Sequence, residues 1–383
     1  METDTFKIDG SKIIYHPERI SQWIKAGSDW NKAKKVYPIY VEISPMGACN
    51  HRCTFCAVDY IGYQNRSLDE NNFMETIQDM GSLGVKSVMY AGEGEPLLYK
   101  PLSKIIKHAK ESGIDNSITT NATPLTERFA NESLSYITWI KASINAGSPE
   151  NYAKIHRAKE GEFERAFSNM QKAVEVRRSL GLDSKEHTLG AQMVLLPENA
   201  HESFAFASRA KESGLDYAVI KPYSQHKKSI TEIYKGQRYE EFMKMEEKLD
   251  SLQSDSFKVI FRKSTMKELS KEDPSYFVCP STPFMWAYIM ASGDVYSCSA
   301  YLEDERFNLG NIQENTFQEI WEGEKRKANM EFVLNELDIS ECRKNCRMHP
   351  TNLVLDKLSS LANPLDELFK IDQSNYPNHI NFI

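Results

Sequence analysis

Cys49, Cys53 and Cys56 fall in one short stretch, and Cys279, Cys298, Cys342 and Cys346 form a looser group near the other end of the chain. These are all seven cysteines, so none is left over for ordinary core packing, where a thiol acts as a small hydrophobe. The odd count speaks against a disulfide framework. Thiolates at the first group's spacing can converge on one metal centre. A structural zinc would want four ligands, and His51, the local fourth candidate, reads as a loop residue. A [4Fe–4S] cluster on three thiolates instead leaves one iron open to an external ligand, which makes it a place for chemistry and not only a staple. The turn Gly92-Glu93-Gly94-Glu95-Pro96 is the second suggestive run. Its glycines let the backbone approach a ligand closely, and Glu95 can attract an ammonium.

The run Cys49-Asn-His-Arg-Cys53-Thr-Phe-Cys56, a CxxxCxxC with an aromatic before the last cysteine, resembles the radical SAM superfamily. The turn at Gly92–Pro96 looks like that family's GGEP turn in a GxGEP form. The resemblance implies that Cys49, Cys53 and Cys56 hold a [4Fe–4S] cluster whose open iron takes S-adenosylmethionine. It further implies that Gly94 and Glu95 hold the amino group of S-adenosylmethionine, and that Ser143 and Asn145 contact its ribose. Arg157 would pair with its carboxylate, and Phe55 would touch its adenine. Each residue also has an ordinary reading, as turn former, helix cap, surface charge or core aromatic. The implied chemistry belongs to the cofactor: one-electron cleavage of S-adenosylmethionine gives methionine and a 5′-deoxyadenosyl radical, which abstracts hydrogen from an unactivated carbon.

In the second group, Gly293-Asp-Val-Tyr-Ser-Cys298 and the stretch Leu309-Gly-Asn-Ile to Trp321 resemble the SPASM/twitch extension of radical SAM enzymes. That resemblance implies an auxiliary [4Fe–4S] cluster. A full SPASM domain uses more cysteines than the four here, which fit a single, fully ligated cluster. Structural zinc competes for the same four thiolates, since thiolate-only sites suit either metal.

The elements that must position these residues alternate. Strand-like runs at Tyr37–Ser44, Val85–Tyr90, Ile114–Thr120, Ile137–Ile144, His187–Leu196 and Tyr217–Lys221 are separated by helical patterns near 69–83, 102–112, 126–134, 163–179 and 201–213. Six such steps predict an α/β fold: a partial (β/α)6 parallel barrel of radical SAM type, with a small C-terminal α+β cluster-binding domain. The working loops of such a barrel lie at the C-terminal ends of its strands. The cysteine loop, the Gly/Glu turn, Thr120-Asn121 and Asn145 all fall there and should converge on one mouth. The expected organisation is an N-terminal extension over 1–35, the barrel over 36–223, a charged helical connector over 224–274 with its clearest helix at 238–252, the auxiliary cluster domain over 275–349 and a tail over 350–383. Both ends are expected to pack, because Trp23, Trp30, Phe369 and Phe382 are costly to expose.

Composition narrows the function further. The chain has 383 residues, 40% hydrophobic and 26% charged, as in a globular protein with a sizeable core. No apolar run reaches the roughly 18 residues of a membrane span, and no secretory signal is visible at the start, so a cytoplasmic location is expected. A net charge of −7 disfavours general nucleic-acid or anionic-membrane binding. The reading is a radical SAM oxidoreductase acting on a small polar molecule, such as a sugar or aminocyclitol derivative, in preference to a peptide. Its reductant would be a one-electron donor such as flavodoxin or ferredoxin. With every cysteine a ligand, no thiol is spare to return a hydrogen, which favours net oxidation over epimerisation. A peptide maturase and a non-catalytic, metal-stabilised binding protein are the competing readings.

Overall fold

In a parallel strand covered by helices, alternate side chains must suit two different surroundings. Residues 6, 8, 10–271, 275–344, 346–369 and 377–383 are described in the computed structural model of the chain. The strands are β1 (Tyr40–Ile43), β2 (Ser87–Tyr90), β3 (Asp115–Thr120), β4 (Ile137–Ser143), β5 (Thr188–Leu195), β6 (Tyr217–Pro222), β7 (Lys258–Phe261), β8 (Trp286–Ile289), β9 (Asp294–Tyr296) and β10 (Asn308–Asn311). Val41, Val88, Ile118, Ile140, Ala191 and Ala218 turn outward into one core with the helices. The alternate positions turn inward, and there Glu42, Lys141, Gln192 and Lys221 line a cavity.

The sheet order is β10-β9-β8-β1-β2-β3-β4-β5-β6-β7. Pairing is parallel from β8 through β1 to β7 and antiparallel for β8·β9 and β9·β10. An open parallel barrel forms as expected, but two more strands join it than the six read from the sequence. One, β7, lies inside the segment read as a helical connector and pairs with β6 from Tyr217↔Lys258. The other, β8, lies in the C-terminal region and pairs with β1 from Tyr40↔Trp286. β7 and β8 do not pair with each other, so the barrel stays open between them. The helix expected over 238–252 is shorter, a 3-10 turn at Glu240–Lys244 followed by Met245–Asp250. An unanticipated helix, Pro149–His156, stands between β4 and the long helix Gly161–Ser179. The remaining C-terminal elements include the helices Phe317–Glu322 and Glu324–Asn335.

Both ends of the chain pack as expected where they are described. Trp23 and Trp30 lie against a core that includes Ile13, Ile20 and Leu355. Residues 377–383 close the barrel beneath the first residues of its strands. Ser87 Oγ donates to the Asn381 carbonyl at 2.5 Å, Asn381 Nδ2 donates to Asp115 at 2.7 Å, and Phe382 meets Trp139 edge-on at 5.3 Å. The Phe369 side chain lies outside the described residues. Among the described residues no helix is long and apolar enough to cross a membrane.

Candidate active site

The first cysteine loop leaves β1 and is clamped from three sides by backbone hydrogen bonds. Gly47 N–H donates to the Arg66 carbonyl at 2.8 Å, and Glu95 N–H donates to that of Ala48 at 3.0 Å. Arg52 and Thr54 N–H donate to the carbonyls of His156 and Ile155 at 3.1 and 2.9 Å. The Gly/Glu turn presses directly on this loop: a Cβ on Gly94 would stand 2.2 Å from the Ala48 carbonyl oxygen. Gly92, at φ +115, lines the cavity, and a Cβ there would stand 2.2 Å from the Tyr288 hydroxyl. Both positions require glycine.

The three thiols of this loop are free and partly buried. Burial pushes Cys49 up to about 12. Burial, and then the neighbouring Cys56 and Cys49, push Cys53 well above the usual thiol range, and burial also raises Cys56. Thiols crowded in this way shed their protons when a metal supplies the positive charge. His51 is almost wholly buried, and its Nε2 lies 2.7 Å from Glu162 Oε2. His156, which the sequence did not single out, places Nδ1 3.3 Å from Cys53 Sγ, and burial depresses it to about 3, so its ring is neutral. The ligand atoms of His51, Cys53 and His156 lie within 4.8 Å of one another. This group shares Cys53 with the thiol triad and belongs to the same centre.

The other residues singled out from the sequence fall in different places. Phe55 lines the cavity and meets the His156 ring edge-on at 6.0 Å. The Glu95 carboxylate accepts from Thr120 Oγ1 at 2.6 Å, Asn121 N–H at 2.8 Å and Leu97 N–H at 3.0 Å, which ties the turn to the end of β3. Burial still raises it to about 7. Asn121 Nδ2 donates to Asn50 Oδ1 at 2.8 Å, bringing β3 onto the cysteine loop. Ser143 Oγ accepts from Gln192 Nε2 at 3.0 Å and from Asn145 Nδ2 at 3.1 Å. Asn145 is fully buried at φ 56, and its Oδ1 accepts from Val194 N–H at 2.7 Å, so it holds the β4–β5 junction behind Ser143 and does not line the cavity. Arg157 is exposed, left-handed at φ 49, at the end of the helix Pro149–His156, and is likewise not among the lining residues.

Below the cysteine loop the cavity measures about 480 Å³. Its lining includes Phe55, Cys56 and Gly92 on one side and Cys298 and Cys346 on another. A second cavity of about 130 Å³ is lined by all four C-terminal cysteines. Cys279 Sγ accepts from Thr282 Oγ1 at 3.0 Å and from Asn352 Nδ2 at 3.3 Å, and Cys342 Sγ lies 3.2 Å from the Tyr301 hydroxyl. Four thiols facing one cavity can ligate either a zinc ion or a [4Fe–4S] cluster. Cys298, Ala300, Arg343 and Cys346 line both cavities and form the wall between them.

Sequence reading missed most of the cavity's polar lining: Glu42, Lys141, Gln192, Lys221, Arg262, Arg343 and Arg347. A signal was present in the lysines, each a lone charge in an otherwise strand-like run, Ile-Thr-Trp-Ile-Lys141 and Tyr-Ala-Val-Ile-Lys221.

Two known sequence patterns overlie this geometry. That of the radical SAM superfamily matches residues 43–205, and that of the SPASM iron-sulfur cluster-binding domain matches residues 279–347. The chain is 37% identical over 119 residues to the S-adenosylmethionine-dependent nucleotide dehydratase of Lacinutrix mariniflava, covering 30% of this chain and 25% of that protein. It is 28% identical over 191 residues to the GTP 3',8-cyclase of Chlorobaculum tepidum, covering 49% of this chain and 55% of that protein. The chain thus spans between a quarter and just over half the length of these relatives. SuiB of Streptococcus suis, in its S-adenosylmethionine-bound crystal structure, shares the fold with a TM-score of 0.62 at 16% identity, covering 88% of this chain and 78% of that one. With thiols that fit them, the cofactors are S-adenosylmethionine and [4Fe–4S] clusters.

Proposed function

From a chain that belongs to the radical SAM superfamily and carries a SPASM iron-sulfur cluster-binding domain, we propose a cytoplasmic oxidoreductase that removes two hydrogens from a small polar molecule held in the barrel cavity. Bound together, the first cluster and S-adenosylmethionine supply a one-electron cleavage that ends in hydrogen abstraction from substrate.

The chain's own residues do the rest. Cys49, Cys53 and Cys56 hold the first cluster on a loop that Gly94 and the end of the Pro149–His156 helix keep rigid. Glu95, fixed by Thr120 and Asn121, sets the turn that receives the amino group. Ser143, oriented by Gln192 and Asn145, faces the ribose, and Phe55 packs on the adenine. Arg157, exposed at the C-terminal end of its helix next to His156, would reach the carboxylate from outside the cavity lining. The cavity, with residues 377–383 packed beneath it, has the volume of a small-molecule site. Two of the similar proteins, a nucleotide dehydratase and a GTP cyclase, are named for small-molecule substrates. A flavodoxin- or ferredoxin-type protein fits the need for single electrons.

One observation carries the choice of oxidation: Cys298 and Cys346 line both the substrate cavity and the four-thiol chamber. Cys279, Cys298, Cys342 and Cys346 would hold the auxiliary cluster against a substrate in the cavity, where that group would supply a one-electron acceptor. The three cysteines that line the cavity, Cys56, Cys298 and Cys346, are all assigned as ligands, so none is available to return a hydrogen.

The test is anaerobic reconstitution followed by iron analysis and S-adenosylmethionine cleavage. The wild type should bind about eight irons per chain, as two cubanes, and release 5′-deoxyadenosine when reduced; Cys53→Ala should abolish cleavage. Cys346→Ala should cleave S-adenosylmethionine and yet form no product lighter by two hydrogens. Full substrate oxidation by Cys346→Ala, or a product of unchanged mass carrying solvent deuterium, would overturn the assignment.

A further inference from the structure

Six cationic side chains line the large cavity: Lys141 on β4, Lys221 on β6, Arg262 just after β7, Arg343 and Arg347 beside Cys342 and Cys346, and Lys12, whose Nζ donates to the His379 carbonyl at 3.2 Å. Among the described residues one carboxylate, Glu42, stands with them, 3.0 Å from Arg347 Nε, and Lys12 and Arg262 are engaged by the protein itself. The chain as a whole is acidic, at −7, so this concentration runs against its overall balance. Crowding like charges around a partly buried cavity is unfavourable unless something compensates them.

The protein itself compensates only part. Arg343 donates to the Ser224 carbonyl at 2.7 Å and to Ser224 Oγ at 3.1 Å. Among the described residues Lys141 has only the Trp139 ring, 5.0 Å from its Nζ, and Lys221 has no hydrogen bond or ion pair. Trp286 Nε1–H, another donor of the cavity lining, is buried without a partner among the described residues. The strain shows in the lysines. Burial, then Lys221 and two of the arginines, hold Lys141 well below the ordinary lysine range. Burial, then Arg262, Arg347 and Arg343, bring Lys221 down to about 7.

Resting on the reading of this cavity as the substrate chamber, we propose that it takes a phosphorylated small molecule, with the phosphate or diphosphate held by Lys141, Lys221, Arg262 and Arg343. A single carboxylate would offset one of these charges. A diphosphate, with about three negative charges, offsets most of them, and guanidinium forks match its oxygens in pairs. The donors reach the cavity from β4, β6, the end of β7 and the second cysteine region, whereas the first thiol loop and the Gly/Glu turn leave β1 and β2. A phosphate on this wall orients the rest of the substrate between the two thiol sets. It also restores favourable surroundings to the charged form of Lys221.

The test is calorimetric titration of the reconstituted holoenzyme with inorganic pyrophosphate, with S-adenosylmethionine titrated separately. The variants are Lys221→Met and Arg262→Met. Wild type should bind pyrophosphate with an affinity that falls as salt rises. Each variant should bind it at least about tenfold more weakly, the loss of one charge-assisted contact, with affinity for S-adenosylmethionine and its cleavage unchanged. Lys221→Met removes a buried charge without leaving a void, so its fold should persist; unchanged iron content and circular dichroism check this. No saturable pyrophosphate binding by wild type, or equal binding by well-folded variants, would overturn the inference. So would a parallel fall in affinity for S-adenosylmethionine, which would assign the cations to that cofactor's carboxylate. Failure of pyrophosphate to bind while wild type cleaves S-adenosylmethionine defeats this inference alone, whereas loss of cleavage in wild type defeats the proposed function.

Discussion

Asn145 shows how a residue's type and its task can part company. Its place after a strand that ends at the site suggested a ligand contact. In the fold its Oδ1 accepts the Val194 N–H, its carbonyl accepts from Asn199 Nδ2 at 2.8 Å, and its backbone sits at φ 56. Asn145→Ala leaves the Val194 N–H buried without an acceptor and should cost about 1–3 kcal/mol in urea unfolding of the holoenzyme. Asn145→Gly loses the same hydrogen bond but accepts the left-handed backbone, so it should recover about 1 kcal/mol of that loss. Two variants of equal stability would show that backbone strain has no part here. The cysteines were legible in the sequence because metal binding demands thiols at fixed spacing, whatever surrounds them. The tasks of Asn145, and of Gln192 and the cavity lysines, depend on which way a strand faces. That is settled only when the strands assemble.

Among the elements, β2 to β6 were legible because each is flanked by a helix whose apolar face has a matching period. β7 was not, because only Lys258–Phe261 pair, and the short run Val259-Ile260-Phe261 sits inside an otherwise charged segment. β8, Trp-Ala-Tyr-Ile, follows the loop after Cys279 with no helix directly before it, so the strand–helix alternation that marks the other barrel strands is missing there. The last residues carried even less signal, since their packing rests on side chains far apart in sequence. Phe382 touches Trp139 and Tyr40 beneath the cavity. Phe382→Ala should lower stability by about 1–3 kcal/mol, the lower part of the range for aromatic deletions because the ring is only partly buried. Thermal unfolding measures it, and iron content should not change, since the Phe382 ring packs on the same apolar cluster as Cys298 and Cys346 without bonding to either thiol. Loss of iron in step with stability would place this segment in the cluster architecture instead.

Across the whole molecule, stability is not spread evenly. The barrel strands rest on a continuous apolar core. The second cysteine region instead gathers Cys279, Cys298, Cys342 and Cys346 from distant parts of the chain around a chamber. Burial pushes Cys346 up to about 12 and Cys298 well above the usual thiol range, so metal binding and local folding are coupled there. Removing iron should raise amide hydrogen exchange around 279–302 and 339–347 while leaving β3, β4 and β5 protected; uniform loss of protection would contradict this division. The coupling also bears on how such a protein is inherited. β8 follows Cys279 in the chain, yet it pairs with β1 in the barrel wall. Recombination that traded one accessory region for another would have to bring a strand able to seat against Tyr40–Ile43, or it would leave β1 as an open edge prone to aggregate. The residues Trp286–Ile289 therefore answer to two lineages of constraint at once, and the accessory region is not a cassette that can be exchanged independently of the barrel.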